Sequence, residues 1–266
     1  MSDNPFVKNG FLADAASEWI ADYRAANAAW FTLATDLSEI LQEVAFLATE
    51  QCHGTSFERD TVAAFLLLRG LQTFQGAVVM AERGMAVESR ILTRSLLEDA
   101  FCMAGLHDNP DDLLKMIRDD HDASRKGKAK VILHNGIEGA DARALNDLIK
   151  EIQGVSYFSP EAASKLGPLK RQYLLYKQIS DDAAHPSANS LKRHMNVASD
   201  RSGWNYRWGP NTDEEIKDAL NAAILCAIPL GVAITQMLDM TELNSKLGDV
   251  AEQYRKLAFH SGEGEG

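Results

Sequence analysis

The 266 residues read as an all-α protein, a single helical bundle of about eight helices, on three observations. Apolar residues recur at three- and four-residue spacing along most of the chain, β-branched residues in strict alternation are missing, and helix-start residues precede most of the apolar stripes. Trp19, Tyr23, Trp30, Leu33, Leu37, Leu41, Val44 and Leu47 form one stripe, so residues 12–51 are expected as one helix or as two broken near Thr35 and Asp36. Thr55 and Ser56 suit the N-terminal cap of a second helix, which runs through the apolar block at 63–68 to Gly84.

The third helix covers 85–107. Asn109 and Pro110 stop it and start the fourth, with Asp111 and Asp112 at the positive end of the new helix dipole. The fourth ends near Gly136, a fifth covers 142–153, another follows Ser159 and Pro160, and a stretch beginning at Pro168 reaches Asp182. Between 196 and 208 turn residues flank the alternating aromatics Trp204, Tyr206 and Trp208, which predicts a short hairpin or ordered loop. Thr212 with Glu215 is a capping box for a long apolar helix to about Met240, and Thr241 starts the last helix. The expected organisation is an N-terminal helical extension over 1–55, a bundle over 56–258 and a flexible tail over 259–266.

This length buries a sizeable core, which excludes disordered, collagen-like and small disulfide-scaffold classes. The net charge of -11 counts against a chain-wide polyanion binder, but it is uneven: -6 over 1–50, -1 over 51–200 and -4 over 201–266. Cys52, Cys102 and Cys226 are odd in number and far apart, with no zinc-knuckle spacing, and no secretory signal opens the chain. A cytoplasmic protein is the expectation. Residues 219–238 carry no charge and are long enough for a bilayer, but Asn221, Pro229, Thr235 and Gln236 make them only mildly apolar. A buried core helix is the preferred reading over a membrane span.

Two constellations carry chemistry. Arg90, Arg94 and Glu98 are four apart on one face of the third helix. They read either as a salt-bridged solvated face or, since apolar sequence flanks the helix on both sides, as a polar site on a central helix. Asp181 and His185 are also four apart, at a helix end broken by Pro186; the carboxylate can hold the imidazole in one tautomer, or the pair can merely cap a turn. Around them, residues 165–207 carry a local net charge of +5 with Tyr173, Tyr176, Trp204, Tyr206 and Trp208 interleaved. That is the composition of a groove for phosphates and bases, with Arg90, Tyr176, Lys192, Arg193, Trp204 and Arg207 as binding residues, or of a basic surface that pairs with the acidic ends.

Arg94-Ser95-Leu96-Leu97-Glu98 followed by Ser180-Asp181 and His185-Pro186-Ser187 resembles an uncharacterised bacterial all-helical family whose function is unknown. The likeness covers roughly 60–240 and implies a shared polar cluster of Arg94, Glu98 and His185. More loosely, the chain resembles the HEPN group of defence and toxin ribonucleases, which implies metal-independent RNA cleavage by an Arg and a His. The R-x4-6-H signature of that group matches only Arg255 to His260, and among 14 Arg and 7 His about one such match arises by chance.

The leading expectation is therefore a helical protein whose Arg94, Glu98, Asp181 and His185 bind or cleave a phosphate-containing ligand, RNA or a nucleotide, without a cofactor, in a homo-oligomer of dimeric type. The rival is a non-catalytic oligomeric interaction protein in which the cluster is structural. A third reading, a metal-binding bundle with ligands from Glu98, Asp99, Asp181, Asp182 and His185, lacks the paired Glu-x-x-His that such bundles use.

Overall fold

The structure is a computed structural model that describes residues 9–13, 16–183, 187–198, 200 and 202–260. After a 3-10 turn at Gly10–Leu12, the helices are α1 (Ala16–Ala26), α2 (Ala28–Gln51), α3 (Arg59–Glu82), α4 (Ala86–Asp108), α5 (Pro110–His134), α6 (Ala142–Glu151) and α7 (Pro160–Ser164). A second 3-10 turn at Pro168–Gln172 leads into α8 (Tyr173–Ala183), then α9 (Ala188–Lys192), strands β1 (Met195–Val197) and β2 (Trp204–Tyr206), α10 (Asp213–Met237) and α11 (Thr241–His260). The protein is all-α, as its periodicity predicts, with one antiparallel two-stranded hairpin in which Met195 pairs with Tyr206 and Val197 with Trp204.

Several boundaries follow local chemistry. The first long stripe breaks at Asn27, not near Thr35: Asn27 leaves helical backbone geometry and its side chain turns back to the Tyr23 carbonyl, whereas Thr35 bonds the Phe31 carbonyl and the helix runs on. Polar side chains that can bond nearby backbone favour such breaks. Asn109 precedes Pro110 as expected, yet its side chain does not cap α5; its amide donates to the Leu166 carbonyl at 2.6 Å and ties the start of α5 to the segment before the second 3-10 turn. Asp141, Ser159 and Thr212 do cap with their side chains, and the Thr212–Glu215 capping box opens α10.

The bundle centres on α4, which packs between α3 and α10 and receives α8 along a further side. Leu96, Leu97, Phe101 and Met103 of α4 are fully buried. Gly70 of α3 permits a close crossing, since a Cβ there would lie 2.5 Å from a Leu230 methyl of α10. The core extends past residue 56 toward the N terminus: Trp30, Leu33, Leu37, Leu41 and Val44 of α2 belong to the same buried cluster as Leu67, Leu106 and Leu220. Both α3 and α10 have the length and hydropathy to cross a membrane, and 44% and 56% of their most apolar windows are buried inside the protein.

Candidate functional site

α8 lies antiparallel against α4, and the pairing is set by two residues four apart on each helix. Arg94 meets Ser180 and Glu98 meets Tyr176. Arg94 Nε donates to Ser180 Oγ at 3.0 Å, one terminal nitrogen donates to the Tyr176 hydroxyl, and the other lies 3.1 Å from Glu98 Oε1. The Tyr176 hydroxyl donates in turn to Glu98 Oε1 at 2.8 Å, and Ser180 Oγ donates to the Tyr176 carbonyl at 2.7 Å. The guanidinium carbon sits 4.6 Å from the Tyr176 ring centroid, a cation–π contact, and Tyr173 stacks on the same ring with centroids 5.6 Å apart.

This network fixes the guanidinium at three corners. Of its five N–H donors, two have no partner among the described residues. The Arg94 and Glu98 side chains are 30% and 21% exposed, so the site is half-sunk in the surface between α4 and α8. Burial, reinforced by the Glu98 carboxylate that accepts its proton, pushes the Tyr176 phenol up to about 12, so it remains a neutral donor.

On the neighbouring face of α4 a second ion pair forms. Arg69 of α3 contacts Asp99 Oδ1 and donates to Ser95 Oγ at 3.0 Å. Asp99 is fully buried while Arg69 is 56% exposed, and Asp99 Oδ2 has no hydrogen-bond partner among the described residues. Burial raises the Asp99 carboxyl to about 7, outweighing the nearby Arg69 cation. Ser95 and Asp99 alternate along the helix with Arg94 and Glu98, so the two ion pairs are adjacent. The signal for Arg69 was present in the sequence: Asp99 stands in an apolar turn with Ser95 and Met103 at four-residue distance, so any cation that pairs with it must come from another helix.

Of the other expected site residues, Asp181, Lys192, Trp204 and Arg207 take no part in the Arg94 network. Asp181 is exposed and follows Ser180 by one residue, turned about 100° around α8 away from the Arg94 contact. His185 lies outside the described residues, in the segment between Ala183 and Ser187; Ser187 Oγ donates to the Asp181 carbonyl at 2.7 Å, which brings the chain back to the end of α8. Arg90, one turn before Arg94, is half-buried, and Tyr176 is an inward-facing member of the Arg94 network. Arg207 is bound to Glu215 at 2.5 Å. Burial opposes ionisation of Glu215, but the Thr212 backbone N–H and Arg207 outweigh it and pull the carboxyl down to about 2. Arg193 is half-buried and lines a cavity of about 340 Å³ with Phe11, Glu88, His194, Arg207 and Trp208. Lys192 and Trp204 are exposed. Among the described residues, no three His, Cys, Asp or Glu side chains cluster as a metal site requires.

A family model matches residues 60–202, from the start of α3 into the hairpin. The chain belongs to this family of unknown function, DUF5677. The matched span is more than half of the chain and holds Arg69, Arg94, Glu98, Asp99, Tyr176 and Ser180, so both ion pairs lie within it. Membership brings no activity with it. Neither the curated proteins nor the solved structures contain a match to this chain.

Proposed function

We propose that the partly exposed Arg94 network between α4 and α8 binds a phosphate-containing ligand, RNA by preference, and that the protein is a metal-independent endoribonuclease of the HEPN type. The observation that supports this reading is the state of Arg94: a guanidinium held in one orientation by Ser180, Tyr176 and Glu98, partly open to solvent, with two N–H donors unused among the described residues. A preorganised donor of this kind stabilises charge that grows on a phosphoryl oxygen without reorganising when the charge appears. Glu98 and Tyr176 orient the arginine. In the cleavage step neutral His185 takes the proton of a ribose 2′-hydroxyl, and the 2′-oxygen attacks phosphorus. The 5′-oxygen leaves, takes a proton from water, and a 2′,3′-cyclic phosphate remains. The test is incubation of the purified protein with labelled single-stranded RNA: the parent cleaves to cyclic-phosphate ends, and His185→Ala and Arg94→Ala are each slowed at least about a hundredfold, within the usual contribution of a general base or a charge-stabilising donor. Equal cleavage by His185→Ala removes the catalytic reading.

One observation favours the rival. Glu98 already neutralises Arg94, and an anion approaching the guanidinium meets that carboxylate. If the parent neither binds nor cleaves RNA and Arg94→Ala lowers stability, the network is a brace between α4 and α8 in a non-catalytic oligomeric interaction protein, and light scattering of the parent then reports its dimeric state.

A further inference from the structure

Two guanidiniums flank one turn of α4. Arg94 and Glu98 carry the first on the side that meets α8, and the next positions along the chain, Ser95 and Asp99, hold the guanidinium of Arg69 on the side that meets α3. Successive helix positions are turned by about 100°, so on a helix about 10–12 Å across the two groups stand about 8 Å apart. Ile91 lies one turn before both Arg94 and Ser95, on the strip of α4 between the two faces, and it is 45% exposed, so this strip is open to solvent.

Arg69 turns its charge outward. One terminal nitrogen donates to Asp99 Oδ1 and the other to Ser95 Oγ at 3.0 Å, and three of its five N–H donors have no partner among the described residues. The guanidinium is held in one orientation by two acceptors on α4, yet the side chain is 56% exposed while Asp99 is fully buried. An anion arriving from solvent therefore reaches Arg69 before it reaches the carboxyl. Burial, with a smaller push from Glu98, also holds that carboxyl up at about 7 against the pull of Arg69, so near neutrality much of it is the uncharged acid and leaves the Arg69 cation uncompensated.

We propose that Arg69 is a second anion-binding residue, and that the ligand of the Arg94 network carries two phosphates laid across Ile91, one on each guanidinium. A fixed guanidinium fork suits a phosphate. The flexible backbone of a single RNA strand can set two of its phosphates at this spacing, whereas a nucleoside monophosphate occupies one guanidinium only. The inference rests on the Arg94 reading for the identity of the ligand and deepens it by requiring at least two phosphates on one strand.

The test is fluorescence anisotropy with a labelled twelve-nucleotide oligouridylate, titrated at several salt concentrations. Arg69→Ala alone would strand the Asp99 carboxyl, so the informative variant is Arg69→Gln with Asp99→Asn, which removes the cation and leaves no unpaired buried charge. It is expected to bind the oligonucleotide at least about fivefold more weakly, with a salt slope smaller by about 0.7, the share of one phosphate on a single strand. Asp99→Asn alone keeps the Arg69 cation and binds at least as tightly as the parent. In competition, uridine 3′,5′-bisphosphate displaces the oligonucleotide from the parent at lower concentration than uridine 5′-monophosphate does, and this advantage disappears in the double variant. Parent-like affinity and salt slope in the double variant overturn the proposal, as does an equal loss in Asp99→Asn alone, which would assign the effect to packing of the pair. A parent that does not bind the oligonucleotide overturns it together with the Arg94 reading. Failure of the Arg94 reading alone is distinct: Arg94→Ala then binds and cleaves as the parent does while the double variant still loses affinity.

Discussion

Asp99 makes the stability of this protein fall with rising pH across a range where most carboxylates do the opposite. Its side chain is fully buried beside Arg69, and its carboxyl titrates near 7 in the folded chain against an ordinary value of 3.8. The folded state therefore holds a proton that the unfolded chain has released between about pH 4 and pH 7. The contribution is fully present below pH 4 and is lost progressively up to pH 7, since stability decreases with pH wherever the native state binds more protons. Each pH unit is worth about 1.4 kcal/mol, so the ionised carboxylate at pH 8 costs about 4 kcal/mol relative to the neutral acid, an upper figure because relaxation around Arg69 reduces it. Asp99→Asn keeps the shape, lets the amide oxygen accept from Arg69, and removes the titration. Urea unfolding of parent and variant at half-unit steps from pH 5 to pH 8 reads the difference directly: the variant gains on the parent up to about pH 7, where the gain levels off, and is the more stable protein at pH 8. A constant difference between the two curves would show that Asp99 is not the titrating group and that its burial is misjudged.

The remaining expectations are smaller in scale. Tyr176→Phe removes the hydroxyl that accepts from Arg94 and donates to Glu98; loss of hydrogen bonds to charged partners at a half-exposed site is expected to cost about 1–2 kcal/mol, read as a fall of a few degrees in melting temperature. Gly167→Ala puts a Cβ 2.8 Å from the backbone of Ala104, which cannot move without shifting α4, so it should destabilise by about 1–3 kcal/mol in chemical unfolding. Burial raises the thiols of Cys102 and Cys226 to about 12, while Cys52, also raised by burial, is only half-buried. A thiol reagent at pH 8 should label one cysteine quickly in the native protein and all three after denaturation; fast labelling of two or more in the native state would contradict the packing around α4 and α10.

How much of this was legible before the structure follows from where each signal resides. Local signals gave most of the helices, since periodicity and caps act over one or two turns: Pro110, Ser159 and the Thr212–Glu215 pair mark true helix starts, whereas Thr55 and Ser56 do not cap α3, which starts after Glu58 with no side-chain cap. The break at Asn27 was missed because one buried Asn within a strong apolar stripe competes with it only through a backbone bond that sequence does not display. For the site, the i,i+4 spacing of Arg94 and Glu98 was visible, and so was the motif that holds Ser180, but contacts across helices were not. Tyr176 read as a ligand-binding residue of a basic, aromatic segment, yet the antiparallel packing of α8 turns it inward onto Arg94. Arg207 read as a free cation because its partner, Glu215, had already been given a role as a cap, and one carboxylate does both. Arg69 went unnoticed because its partner lies 30 residues away on another helix.

The proposed function requires Arg94 to face a ligand and not merely to brace α4 against α8. The most direct measurement is the dissociation constant of labelled single-stranded RNA for the parent and for Arg94→Ala at one fixed salt concentration, with the melting temperature of each recorded alongside. If Arg94 contacts phosphate, the parent binds, the variant loses at least about tenfold in affinity, and the melting temperature changes by only a few degrees. No binding by the parent, or equal binding by a variant whose melting temperature has dropped sharply, would contradict it.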